Sequence, residues 1–225
     1  MTAVRTARER ARAELTAEIL DAARRQIAEQ GAAALSLRAV ARELGMASSA
    51  VYRYFATRDE LLTALLVEAY DGLGEVVEGA TAPGPGRTPR QRWLAGCTAV
   101  RTWALAHPHQ YALLYGSPVP GYAAPPERTT PPGSRVPLAL LAVLADAPSP
   151  SAPPLAPDLA AQAGAVADAL APDLGAAVLV QVAAAWTALF GLVSFELFGQ
   201  FDRTFEPADA LFAHVVERSA DALGL

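Results

Sequence analysis

The stretch that decides the fold is residues 35–66, LSLRAVARELGMASSAVYRYFATRDELLTALL. Ser36 stands where a helix N-cap belongs, so its hydroxyl is expected to take an orphan N–H of a helix over 37–44. Leu35 before it and Val40 within it have the spacing of a hydrophobic staple. Ala39, Val40, Ala41 and Leu44 give that helix a small apolar side, across which a second helix can pass closely. Gly45 supplies the turn, because a left-handed backbone is cheap for glycine. Met46 fits beneath the turn as a core plug. A second helix over 48–54 follows, with Val51 and Phe55 four apart and pointing inward. Thr57 and Glu60 have capping-box spacing for a third helix. Helix, glycine turn, helix and capped helix is the layout of a helix-turn-helix unit.

The side chains left over on that unit name a partner. The N-terminal end of the second helix meets base edges in the major groove. Small Ser48, Ser49 and Ala50 let the backbone approach the groove floor. Serine discriminates bases poorly, so sharper base contacts fall to Arg53 and Arg38. Tyr52 and Tyr54 offer hydroxyls to phosphates, which orient the helix without reading sequence. Burying both tyrosines together with Val51 and Phe55 asks too much of one short helix, which disfavours a pure core role. Arg53 has a solvated face as its alternative. Ser36 is a cap first and a contact second. Arg58 and the N–H groups opening the third helix are placed to clamp a phosphate.

Net charge is −5, which by itself argues against nucleic acid; its distribution argues the other way. Residues 1–58 hold ten arginines against six acids, net +4, and the remaining chain is net −9. A basic head on an acidic body fits a local nucleic-acid surface. All 18 basic residues are arginine, whose planar fork suits phosphate and guanine. The single cysteine, Cys97, excludes an internal disulfide and a cysteine-cluster zinc site and fits a reducing cytoplasm. The N-terminal MTAVRTARERARAEL lacks the apolar core of a secretory signal. Leu174 to Phe195 is uncharged and long enough to cross a bilayer. It is rich in Ala and Gly, carries Gln181, Thr187 and Ser194, and has no nearby Arg or Lys to anchor it, so a helix buried on most sides is expected.

Proline divides the chain, since none of the 18 precedes Pro83. Leu15, Ile19, Ala22, Ala23 and Ile27 share one face of a first helix that Gly31 ends. Leu61, Leu62, Leu65, Leu66, Ala69, Tyr70 and Leu73 give a later helix its apolar face, to about Glu78. The break TAPGPGRTP, 81–89, is a plausible boundary. Thr88 then caps a helix with Pro89 at its first position, running to about Ala106. Pro108 opens a short helix. Twelve prolines between Pro118 and Pro157 make two loops, about 116–128 and 146–157, around a helix holding Leu138, Leu140, Leu141 and Leu144. An Ala-rich helix at 158–170, a long apolar helix from Pro172 to about Gln200, and a last helix from Pro207 complete the chain. No period-two pattern occurs, so the chain reads all-α with nine or ten helices. The expected division is a basic arm (1–13), a helix-turn-helix DNA-binding domain (14–60), a connecting helix (61–82) and a ligand-binding and dimerisation domain (83–225).

Residues 14–66 resemble the N-terminal domain of the TetR family of transcriptional regulators. The resemblance rests on Gly31, on Leu35-Ser36-Leu37-Arg38-Ala39-Val40-Ala41, on Leu44-Gly45, on Val51-Tyr52-Tyr54-Phe55, and on Arg58-Asp59-Glu60-Leu61-Leu62. It implies that the serine, tyrosine and basic positions touch DNA. Two positions depart from the pattern. Ala47 replaces a serine-like cap, which weakens the start of the second helix by about 1 kcal/mol. Arg58 replaces the commoner lysine and keeps the charge. More loosely, HPHQYALLYGSPVPGY (107–122) and FELFGQF (195–201) resemble TetR-type ligand-binding domains of high-GC bacteria. The resemblance implies a dimer paired through the last two helices, here about 173–200 and 207–223.

Other chemistry finds little support. His107, His109 and His214 are the only histidines, and no carboxylate or cysteine lies near the first two in sequence, so no metal site is expected. His107 is placed at a helix end. No nucleophile elbow, phosphate loop or dinucleotide fingerprint occurs, so neither an enzyme nor a cofactor is expected. Glu196 is read as structural, with an arginine across a dimer or a cationic ligand as its alternatives. Trp93, Trp103, Tyr111, Tyr115, Trp186 and Phe190 are core aromatics or the lining of an apolar pocket, with Gln181 and Thr187 as polar groups. The resulting expectation is a homodimeric, cytoplasmic repressor, released from a pseudo-palindromic DNA operator by a small apolar ligand. A transcriptional activator, a ligand-independent nucleoid protein and an enzyme with a DNA-binding head are the alternatives.

Overall fold

The computed structural model describes residues 6–147, 152–170 and 173–225. Arg5 of the expected arm, the middle of the 146–157 loop and Pro172 lie outside them. Among the described residues the fold is all-α, as expected. The helices are α1 (Ala7–Gln30), α2 (Leu37–Glu43), α3 (Ser48–Val51), α4 (Arg58–Thr81), α5 (Pro89–Ala106), α6 (Pro108–Tyr115), α7 (Pro126–Gly133), α8 (Arg135–Ala145), α9 (Pro157–Leu170), α10 (Gly175–Leu197) and α11 (Asp209–Ala222). A 3-10 turn, Ala32–Ala34, links α1 to α2.

Several ends follow directly from local chemistry. Gly31, at φ 79°, stops α1, and its N–H bonds to the Ile27 carbonyl at 2.9 Å. Gly45, at φ 66°, turns the chain between α2 and α3. Thr88 and Gln91 form a full capping box at the start of α5, with Pro89 in the first turn. Three expectations need correcting. Residues 7–13 are not an arm but the first turns of α1, because Thr6 and Glu9 make a capping box there. The 116–128 loop is shorter than expected: α7 starts at Pro126, a residue whose missing N–H costs nothing at a helix start. Pro131 and Pro132 sit in the last turn of α7, just before it ends at Gly133. Finally, α3 is α-helical only over Ser48–Val51 and tightens afterwards, with Arg53 N–H bonded to Ala50 O and Tyr54 N–H to Val51 O.

The chain divides into two compact units that do not follow chain order. The first is the chain up to Tyr70 together with His109–Pro132; the second is Asp71–Pro108 together with Gly133–Leu225. The split falls inside α4, and α6 from His109 on, with its following loop, belongs to the first unit. Sequence order alone hides this, because the joining contacts are about fifty residues apart. The first unit has its own core, with Ile19, Ala22, Ala23, Val40, Val51, Leu61 and Leu62 all inaccessible to solvent. Leu113, Val119 and Tyr122 pack against that core from the α6 side.

In the second unit α5 packs against α8, α10 and α11. Gly96 makes the close approach possible. A Cβ there would lie 2.6 Å from Thr81 Cγ2 and 3.2 Å from Leu140 Cδ2. Arg92 is buried, yet its charge is met on both sides: Nε donates to Thr81 O at 2.6 Å and Nη1 to Asp146 Oδ2 at 2.6 Å. It thereby ties the ends of α4 and α8. Trp93 is 1% exposed and its indole N–H donates to Ser219 Oγ at 2.9 Å. Burial pushes the Cys97 thiol up to about 12.

Candidate nucleic-acid interface

The helix-turn-helix is positioned by a buried scaffold beneath it. Val51 is inaccessible and Phe55 8% exposed, so this pair roots α3 in the core. Met46 packs partly against the same core beneath the Gly45 turn. Gln26 of α1 is buried and serves as a two-sided bracket. Its Oε1 accepts the Ser36 N–H at 3.1 Å and its Nε2 donates to Ala34 O at 3.3 Å. Ser36 adopts N-cap geometry but its side chain makes no cap bond, contrary to expectation. Gln26 holds this corner through the backbone, and the Ser36 hydroxyl is uncommitted to the helix end. Ala47 likewise gives α3 no side-chain cap, as its methyl group dictates.

The junction into α4 is held from the other side. Thr57 Oγ1 accepts the Glu60 N–H at 3.1 Å, and Glu60 Oε2 accepts the Ala56 N–H at 2.7 Å. Arg58 reaches back across the head: Nε donates to Leu35 O at 3.2 Å, and Nη2 to Ala32 O and Ala33 O at 3.0 and 3.1 Å. The expected phosphate clamp is therefore engaged with the chain's own carbonyls. Its donors hold the 3-10 turn and the entry to α2.

The solvent-facing side chains sort clearly. Arg38, Ser49, Tyr52 and Arg53 are exposed and Ser48 is half-buried. Arg38 and Arg53 have no ion pair or side-chain hydrogen bond among the described residues. In contrast, Arg24 pairs with Asp21 and Glu68, and Arg25 with Glu43 at 2.6 Å. Arg42 is also unpaired, so α2 and the turn after α3, which face DNA in this motif, carry uncommitted positive charge, as do Arg8 and Arg10 on α1. Tyr52 is 42% exposed. Tyr54 differs: it is half-buried against the core, and the Arg12 guanidinium lies 5.1 Å from its ring centre.

These features coincide with what known proteins share. Residues 19–65 match a family described as bacterial regulatory proteins, tetR family, and residues 93–219 match the tetracyclin repressor-like C-terminal domain. The second match covers more than half of the chain. The chain belongs to the TetR family. Over 126 residues it is 52% identical to the HTH-type transcriptional regulators Rv1816 of Mycobacterium tuberculosis and Mb1846 of Mycobacterium bovis. That match spans 56% of this chain and 54% of each relative. SCO4313, described as a candidate regulatory protein, has a solved structure 32% identical to this chain, with TM-score 0.78, covering 98% of this chain and 100% of that one. A Rhodococcus sp. RHA1 protein of unknown function shares the fold at 22% identity and TM-score 0.67, covering 93% of this chain and 94% of its own. As a TetR-family member the protein is a transcriptional regulator with a DNA-binding helix-turn-helix, and the mycobacterial relatives are named as transcriptional regulators too.

The expected ligand-site aromatics of this TetR-family chain fall in both units. Tyr111 and Tyr115 lie in the first unit, their rings 5.2 Å apart, with Tyr70 edge-on to Tyr115 at 6.4 Å. Burial, then the neighbouring Tyr70 and Tyr111, raise the Tyr115 hydroxyl well above its ordinary value. Trp93, Trp103, Gln181, Trp186 and Phe190 lie in the second unit. Trp186 and Phe190 stack at 4.5 Å, and Trp103 packs against His107, the cap of α5, at 5.1 Å. Gln181 lines an open groove between α10 and α11. Glu196 finds its arginine within the chain: Arg101 Nη2 and Nε donate to its two oxygens at 2.6 and 2.7 Å, while Arg101 Nη1 reaches Asp209 at 3.0 Å. Sequence reasoning missed Arg101, which is 95 residues away. No cluster of three metal-ligating side chains occurs among the described residues.

Proposed function

We propose that this regulator is a homodimeric, ligand-responsive repressor acting in the cytoplasm, paired through α10 and α11. The observation that carries the reading is the outer face of α10. This helix is 23 residues long and holds an 18-residue stretch with a mean hydropathy of 2.0, of which only about a third is buried. Its inner side, with Val178, Val182, Leu189 and Val193, is part of the unit's core and ends in the Arg101–Glu196 pair. Its outer side exposes Ala184, Ala188, Gly191 and Phe195 at alternating four- and three-residue steps. That is the spacing of a seam between paired helices. Beside it runs a groove of about 390 Å³ that α11 completes with His214, Val215, Arg218 and Ala222. A second copy laid against this face by a two-fold axis covers both helices at once. The half-buried Arg101–Glu196 pair at the foot of α10 and the packing of its inner side speak against a membrane span.

Two heads on one two-fold axis read two half-sites about one helical turn or more apart. Arg38 and Arg53 carry base preference, Ser36, Ser48 and Ser49 approach the groove, and Tyr52 and Tyr54 contact phosphates. A small apolar ligand among the aromatics releases the operator by binding the other head spacing more tightly, since a ligand without preference shifts nothing. Sedimentation of the full chain tests the pairing. The wild type is expected to run as a dimer and Ala188→Arg as a folded monomer with operator affinity reduced at least 100-fold. A dimeric Ala188→Arg chain overturns the interface. For the ligand, release of bound operator by a member of an apolar and aromatic compound panel supports the reading; a complex that none of the panel weakens counts against it.

A further inference from the structure

The DNA-reading unit contains a segment that the helix-turn-helix match, 19–65, leaves out: His109–Pro132. Its loop 116–122 lies on the head core through Val119 and Tyr122. One polar contact stands out beneath it. Thr63, 2% exposed, lies in the second turn of α4 and its hydroxyl donates to Asp59 O at 2.8 Å. A threonine hydroxyl has one proton. The 2.9 Å contact between the same oxygen and Tyr122 Oη therefore has Tyr122 as donor. The result is a directed chain, Tyr122 to Thr63 to the Asp59 carbonyl. It ends beside Arg58, which grips the carbonyls of Ala32, Ala33 and Leu35 at the entrance to α2. Two turns further along α4, Tyr70 is covered by Tyr115 of α6. Loop and helix thus clasp one side of α4 from Thr63 to Tyr70.

We propose that Tyr122 is a positioning residue for DNA binding: through Thr63 it fixes the first turns of α4, and with them the helix-turn-helix, without touching DNA. A helix start that shifts by an ångström displaces Arg58 from its carbonyls and tilts α2 and α3 against the groove. The cost appears in operator affinity well below the melting temperature, where the fold itself is intact. A residue that only stabilises the fold leaves that affinity alone. The proposal depends on DNA binding, not on the dimer face or the ligand.

The test is a double-mutant cycle on the full chain, read by titration against a duplex that the wild type selects from a randomised library. Tyr122→Phe keeps the ring and removes the donor; Thr63→Val removes the relay; Thr63→Ser restores it. Tyr122→Phe and Thr63→Val are each expected to raise Kd three- to tenfold. The double variant should be no worse than the poorer single, and Thr63→Ser should bind within twofold of wild type. The proposal is overturned if Tyr122→Phe binds as wild type, if the double variant shows the product of the two single losses, or if Thr63→Ser falls as far as Thr63→Val.

Discussion

Replacing Arg58 by alanine separates two roles that the sequence leaves open for this residue. In the structure its Nε and Nη2 make three contacts with backbone carbonyls, two of them sharing one nitrogen. That amounts to about two good hydrogen bonds from a charged donor, worth about 1.5–3 kcal/mol each when well shielded. The side chain is 29% exposed, so water replaces part of what is lost. A net destabilisation of about 2 kcal/mol follows. For a chain of this length that is a fall in Tm of about 4–8 °C. A phosphate-clamping arginine gives the opposite pattern. Its loss leaves Tm in place and lowers the slope of log K against log salt by about 0.9. Thermal unfolding and a salt series on the same variant read both quantities. An unchanged Tm with a slope reduced by about 0.9 would refute the internal role.

Gly96→Ala places a methyl 2.6 Å from Thr81 Cγ2 at a fully packed crossing of α4, α5 and α8, and should cost about 1–3 kcal/mol in urea unfolding; a neutral result means that the crossing is looser than described. Cys97 is 1% exposed with its thiol pushed up to about 12, so a thiol reagent at pH 8 should label it only in denaturant. Rapid labelling of the native chain contradicts that burial.

Much of the head was legible because its signals are local. Gly45 and Val51 with Phe55 act within a few residues and do in the structure what their spacing implies, while Thr57 caps the Glu60 N–H as expected but Glu60 takes the Ala56 N–H and not that of Thr57. The same holds for Thr88 and Pro89 at α5. The surroundings that the sequence hid share one cause, which is a partner distant in sequence. Ser36 has cap geometry, but Gln26, ten residues back, holds its N–H. Arg58 looks like a free cation until the carbonyls of residues 32–35 fold beneath it. Glu196 lacked a partner only because Arg101 is far off in sequence. The membership of 109–132 in the DNA-reading unit was illegible for the same reason, since its apolar residues suit either unit equally. Among the ligand candidates, Trp93 proved a fixed core residue bonded to Ser219, a pairing 126 residues apart. Composition can list aromatics, but it cannot say which of them share a cavity.

The central claim is that two copies of this chain read a sequence through α2 and α3. Selecting duplexes from a randomised library with the full chain, then measuring the mass of the resulting complex, tests it most directly. The account predicts an inverted repeat whose half-sites lie one helical turn or somewhat more apart, bound by two chains. Enrichment of a single half-site bound by one chain, or no enrichment over bulk DNA, would contradict it.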